Sequence, residues 1–192
     1  MGVALLAAMR PRQWTKNLLV LVAPLAAGRL FEADVLVRGS LAFVAFALAS
    51  SSMYLANDVI DRARDAAHPV KRARPVASGR LPVKVAVVAG FLLAVLALLV
   101  ATTIDPGPFV AVILTYLVVT TAYSLRLKHE PLFDIVLVAS GFLLRAVAGG
   151  VATGIPVSAW FLVTAASGAL FVAAGKRASE HARVTEGESV TR

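Results

Sequence analysis

The sequence predicts an all-α protein, a bundle of about six membrane-crossing helices. Three observations carry that expectation. Of the 192 residues, 59% are hydrophobic, and the mean hydropathy is +0.81, far above the composition of a soluble domain. Apolar runs recur at residues 17–31, 39–57, 85–104, 108–123, 132–150 and 156–175, most of them close to the ~20 residues a helix needs to cross a ~30 Å hydrocarbon core. The basic residues then alternate with those runs, so that sixteen of the nineteen Lys and Arg fall on one side.

Taken in order, residues 1–9 are apolar but short, and Arg10 and Arg12 follow them. A signal peptide has its bases first, so this stretch is read as part of the mature chain, lying at the interface. The run 17–31 is the weakest of the six because it is short and contains Pro24; membrane helices tolerate proline where neighbours satisfy the freed carbonyl. Arg10, Arg12 and Lys16 precede it. Arg62, Arg64, Lys71, Arg72, Arg74, Arg80 and Lys84 lie between the second and third runs, Arg126 and Lys128 between the fourth and fifth, and Lys176, Arg177, Arg183 and Arg192 after the sixth. By the positive-inside rule these positions, and both termini, are cytoplasmic. The expected location is a multi-pass protein of the plasma membrane, with residues 1–180 as one domain and 181–192 as a polar cytoplasmic tail. The +8 charge is thus accounted for by topology, and no nucleic-acid partner is expected. Cysteine is absent, which excludes disulfides and thiolate metal sites. His68, His129 and His181 are isolated from one another, which argues against a histidine metal site.

The densest chemistry is Asn57-Asp58-Val59-Ile60-Asp61-Arg62-Ala63-Arg64-Asp65. On a continuous helix Asp58, Asp61 and Asp65 fall within an arc of roughly 60°, with Asn57 at its edge. Hard oxygen donors gathered in this way suit Mg²⁺, which bridges a few carboxylates to substrate phosphates. The competing explanation is a solvated helix end whose acids pair with Arg62 and Arg64. The loop that follows is polybasic, from His68 to Arg80. It fits anionic lipid head groups and equally a diphosphate held beside a metal. Pro75 and Ser78-Gly79 supply turns that fold this loop back over the acids. Trp14 reads as an interfacial anchor, and Lys16-Asn17 as a phosphate contact or part of that anchor. Tyr123 to Lys128 reads as an aromatic belt with snorkelling bases or as a second wall of the site. Asp134 lies inside the start of a run, where an acid is a functional hypothesis by default. Arg145, ~9 Å from the end of the fifth run, is equally consistent with snorkelling and with an internal polar cavity. Ser50 to Ser52, Gly141, Gly149 and Gly150 read as close-packing surfaces.

Asn57-Asp58-x-x-Asp61-x-x-x-Asp65, followed by Arg74-Pro75-x-x-Ser78-Gly79, resembles the first motif of the UbiA superfamily of intramembrane prenyltransferases. Arg10-Pro11-x-Gln13-Trp14-x-Lys16-Asn17, Tyr123-Ser124-x-x-x-Lys128 and Gly175-Lys176-Arg177-x-x-Glu180 are similar to its phosphoribosyl-transferring branch. The resemblance implies a UbiA-type bundle with Mg²⁺ as cofactor. Asp58, Asp61 and Asp65 would be metal ligands, Asp58 and Asp61 the catalytic pair. Lys16, Asn17, Asn57, Arg72, Arg74, Tyr123, Lys128, Asp134, Lys176, Arg177 and Glu180 would bind substrate.

Two departures from the family pattern are informative. Prenyl-diphosphate users carry a second acidic motif after the sixth span, where this sequence has Lys176, Arg177 and Glu180. Bases there favour direct contacts to phosphate, and so a phosphoribosyl diphosphate donor. The expected reaction is transfer of 5-phosphoribose to a polyprenyl (decaprenyl) phosphate, with release of diphosphate, for a cell-wall arabinan precursor. The second departure is length, since the family has nine spans and the chain reads as a form truncated after the sixth. The alternatives are a prenyltransferase acting on an aromatic acceptor and a non-catalytic membrane fragment. Partners are therefore the donor, the lipid phosphate and the membrane, with a homo-oligomer left open.

Overall fold

In the computed structural model the described residues, 1–125 and 131–185, form helices joined by turns and short irregular stretches; for residues 131–134, 176, 177 and 180–185 only the backbone is described. The elements are α1 (Gly2–Met9), a 3₁₀ segment (Pro11–Leu21), α2 (Val22–Ala26), α3 (Ala33–Ile60), α4 (Arg62–Ala67), a 3₁₀ turn (Lys71–Ala73), α5 (Val83–Ile104), α6 (Pro108–Leu125), α7 (Pro131–Thr153) and α8 (Ala159–Thr185). The all-α expectation holds.

Among the described residues four helices are long and apolar enough to cross a membrane, Ala33–Ile60, Val83–Ile104, Pro108–Leu125 and Ile135–Thr153, and Ala159–Gly175 is a shorter apolar helix. The first expected span is corrected. It is a 3₁₀ run of 11 residues joined to a five-residue α-helix that contains the buried Pro24. A 3₁₀ run this long is uncommon, and tertiary ties hold it. The Trp14 indole N–H donates to Ser51 Oγ at 3.0 Å on α3. The Asn17 carbonyl oxygen accepts from Arg145 Nε at 2.8 Å on α7. A Cβ added at Gly149 would sit 1.9 Å from the Val20 carbonyl oxygen, so the backbones of this segment and α7 touch where only glycine fits. At ~2.0 Å per 3₁₀ residue and ~1.5 Å per α residue the composite extends about 30 Å, enough to cross the hydrocarbon without being one helix.

The main core is built largely from small residues: Ala42, Ala45 and Ala49 of α3, Ala97 and Ala101 of α5, and Ala148 and Ala152 of α7, around Phe46, Phe109, Ile113 and Tyr116. Lipid offers no hydrophobic drive between helices, so close approach of small side chains does the packing. The Ser52 hydroxyl donates to the Gly90 carbonyl at 2.7 Å, fastening α3 to α5. At one end of the bundle a second cluster joins Ala8, Leu55, Val76, Leu81 and Ala86, which seats α1 and the 75–81 loop against α3 and α5. At the other end, Arg29 donates through Nε and Nη2 to the Glu32 carboxylate at 2.6–3.0 Å, and this pairing holds the Glu32 carboxyl below the ordinary carboxylate range.

Candidate functional site

The helix does not run unbroken through Asn57 to Asp65. α3 stops at Asp61, whose φ of −90° and ψ of 4° leave the helical basin, and α4 restarts at Arg62. Backbone bonds from Asp61 N to Asn57 O at 2.9 Å and from Asp65 N to Asp61 O at 2.8 Å bracket the break. Asp58 and Asp65 are buried, at 1% and 2% exposure, and Arg74 Nη1 lies 2.6 Å from Asp65 and 3.7 Å from Asp58. Asp61 turns aside, 3.7 Å from Arg64. Among the described residues the three acids do not form one metal-ligating group in this conformation, so the expected three-carboxylate face is corrected to a pair with Asp61 beside it.

A second guanidinium closes the pair. Arg10 Nη2 donates to Asp58 Oδ1 at 2.5 Å, and its Cζ stacks 5.0 Å from the Tyr54 ring. The Arg10 backbone, with φ 55° and ψ 61°, is left-handed and ends α1; a non-glycine residue there is uncommon and clusters at functional sites. Asn57 adds a third feature. Its Oδ1 is buried without a hydrogen-bond partner, which costs about 1–3 kcal/mol for a polar group.

The loop carrying Arg74 is well anchored. Val76 and Leu81 are buried, Leu81 N donates to Pro75 O at 2.9 Å, Arg80 Nη2 donates to Ala73 O at 2.5 Å, and Gly79 supplies φ 78° at the turn. The His68 ring accepts from the Val70 and Lys71 amides through Nδ1, a turn-forming role. The loop folds back over the acids, as the turn residues led one to expect.

Lys16 and Arg72 are exposed and Tyr123 is half-buried. Lys128 lies outside the described residues, and the side chains of Asp134, Lys176, Arg177 and Glu180 are likewise outside them. Asn17 is fully buried and belongs to a different cluster. There Arg145 donates to Asn17 Oδ1, to Gly141 O at 2.6 Å and to Tyr116 Oη at 3.1 Å, with its Cζ 4.9 Å from the Tyr116 ring and 5.5 Å from Phe46. Sequence reasoning left Arg145 undecided; the rule that an intramembrane base is functional by default was the available signal. Arg10 and Tyr54 were also missed as site residues, since nothing local links residues 48 apart.

The donor set fits a hard divalent cation: two buried carboxylates within reach of one Arg74 nitrogen suffice for Mg²⁺, which takes one or two carboxylates and leaves its other positions to water and phosphate.

A polytopic helical bundle with an acid and arginine site at one end is thus the class of protein that the fold and site define. The chain belongs to the UbiA prenyltransferase family, which matches residues 4–184. It is 51% identical over 180 residues to the decaprenyl-phosphate phosphoribosyltransferase of Mycolicibacterium smegmatis, covering 92% of this chain and 56% of that protein. It is 47% identical over 178 residues to the protein of that name from Corynebacterium glutamicum (90% of this chain, 53% of that protein) and 48% identical over 177 residues to that of Mycobacterium tuberculosis (90% and 58%). The chain therefore spans little more than half the length of these relatives.

Proposed function

We propose that this chain carries the donor site of a phosphoribosyltransferase that moves 5-phosphoribose from phosphoribosyl diphosphate to a polyprenyl (decaprenyl) phosphate, on the cytoplasmic face of the plasma membrane, for a cell-wall arabinan precursor. The observation that carries the reading is the buried Asp58 and Asp65 pair facing Arg10 and Arg74. Acids for a metal and bases for phosphate are what a diphosphate-leaving reaction needs. The names of relatives 47–51% identical and the bases Lys176 and Arg177 support phosphoribose over a prenyl group.

Mg²⁺, when bound, supplies positive charge to the departing diphosphate. Asp58 and Asp65 would hold it, and Asn57 Oδ1 would accept from a donor hydroxyl. Asp61, at the helix break and 3.7 Å from Arg64 Nη1, is the third acid of the motif. The bond from the ribose anomeric carbon to diphosphate breaks as an oxygen of the lipid phosphate bonds to that carbon. The acceptor is already an anion, so a strong general base is unnecessary, and the work is electrostatic and positional.

The test supplies purified protein in nanodiscs with Mg²⁺, polyprenyl phosphate and donor labelled in the ribose, and in a parallel reaction labelled prenyl diphosphate with an aromatic acceptor. Label is expected in lipid from the first mixture alone. Product from the second mixture would establish the prenyltransferase alternative, and no donor binding in either would establish a non-catalytic chain.

A further inference from the structure

We infer that Arg74 is an exchangeable counter-ion: it holds the metal carboxylates while the site lacks metal, and the divalent cation releases it to grip the donor's diphosphate. The inference rests on the metal-diphosphate reading above.

Three observations carry it. The pairing is provisional in form, because a single Nη1 of Arg74 serves both Asp65 and Asp58. A guanidinium that has settled on one acid uses two nitrogens in a parallel fork, as Arg29 does on Glu32 in this same chain. Secondly, the two arginines differ in freedom. Arg10 is fixed by its left-handed backbone and by Tyr54, while Arg74, whose side chain is as exposed as that of Arg10 (29% against 30%), hangs from a loop whose backbone is anchored by Val76 and Leu81. Its side chain can swing without moving the loop. Thirdly, the orphaned Asn57 oxygen is left unsatisfied by this arrangement, as expected of a resting state awaiting a cation or donor.

The electrostatics give the direction. A divalent ion and a guanidinium compete for the same carboxylates, so Arg74 lowers the affinity of the empty site for metal. Once displaced, its planar donor array faces incoming phosphate, the partner it matches best. Metal alone then binds poorly and metal with donor binds well, a coupling that must act equally on both ligands.

The test uses Mn²⁺ alone, followed by loss of the free-ion electron paramagnetic resonance signal, and separately binding of labelled phosphoribosyl diphosphate in saturating Mg²⁺. Arg74→Gln is expected to raise Mn²⁺ affinity about tenfold, since a unit charge near ~4 Å is removed, and to lower donor affinity about tenfold. Opposite signs from one substitution are the signature, because a structural defect would lower both. Arg74→Lys keeps the charge but on a shorter side chain without the planar donor array, so it should move both constants the same two ways by less, and it carries the test should Arg74→Gln not fold. Unchanged or weakened Mn²⁺ binding in the variants, or undiminished donor binding, would overturn the exchange. Absence of donor binding by the wild type in Mg²⁺ would instead count against the proposed function, while the Mn²⁺ comparison would still decide the exchange.

Discussion

Replacing Gly149 by alanine attacks the contact that holds the first segment in place. The new Cβ would lie 1.9 Å from the Val20 carbonyl oxygen and 2.8 Å from its carbon, and both obstacles are backbone. Ordinary contact begins near 3.4 Å, so the 3₁₀ segment must retreat about 1.5 Å, the difference between 3.4 and 1.9. A retreat of that size stretches the Arg145 Nε to Asn17 Oδ1 bond, now 2.8 Å, beyond hydrogen-bonding range. Overpacking costs about 1–3 kcal/mol and a charged hydrogen bond about 1.5–3 kcal/mol, giving a loss of about 2.5–6 kcal/mol. At roughly 2–4 °C per kcal/mol for a chain of this size, the melting temperature in detergent should fall by about 5–24 °C. Gly168→Ala is the control, since nothing lies within 4 Å of its added Cβ and alanine is about 0.5–1 kcal/mol better than glycine inside a helix. Equal melting of the Gly149→Ala and Gly168→Ala proteins would refute the backbone contact.

Further expectations concern the polar end and the membrane arginine. Asn57→Leu removes an unsatisfied acceptor and should stabilise the fold by about 1 kcal/mol while weakening donor binding in a filter assay; a loss of both would show that the oxygen has a structural partner. Leu81→Ala empties a fully buried position and should cost about 2–5 kcal/mol, read as earlier proteolysis of the 68–82 loop. Arg145→Met strands Asn17 and Tyr116 and should shift the emission of Trp14, which sits on the same 3₁₀ segment, when measured with Trp160 replaced by Phe. An unchanged spectrum would mean that Arg145 does not hold the segment.

The bundle was legible because hydropathy and charge alternation are properties of the whole chain, and the helices Ala33–Ile60 to Pro131–Thr153 lie where the apolar runs do. The first segment was not, because its 3₁₀ form depends on Gly149 and Arg145, more than a hundred residues away. Asp58 and Asp65 could be read as acids for a metal, yet the pairing of Asp58 with Arg10 could not, since no local pattern relates them. The break at Asp61 was equally hidden. Gly149 and Ser52 lie at close approaches between helices, against Val20 and Gly90, as small residues in membrane helices are expected to, whereas Gly141 meets only Arg145 of its own helix. Asn17 illustrates the opposite case, a polar residue beside a base whose side chain is directed into the bundle by a partner on α7.

Whether Asp58 and Asp65 hold a divalent cation against the donor's diphosphate is decided by locating Mn²⁺ through anomalous scattering in the protein crystallised with phosphoribosyl diphosphate. The ion is expected between those two carboxylates, with Arg74 turned onto phosphate. Mn²⁺ bound elsewhere, or Arg74 still seated on Asp58 and Asp65 with the donor in place, would contradict that expectation.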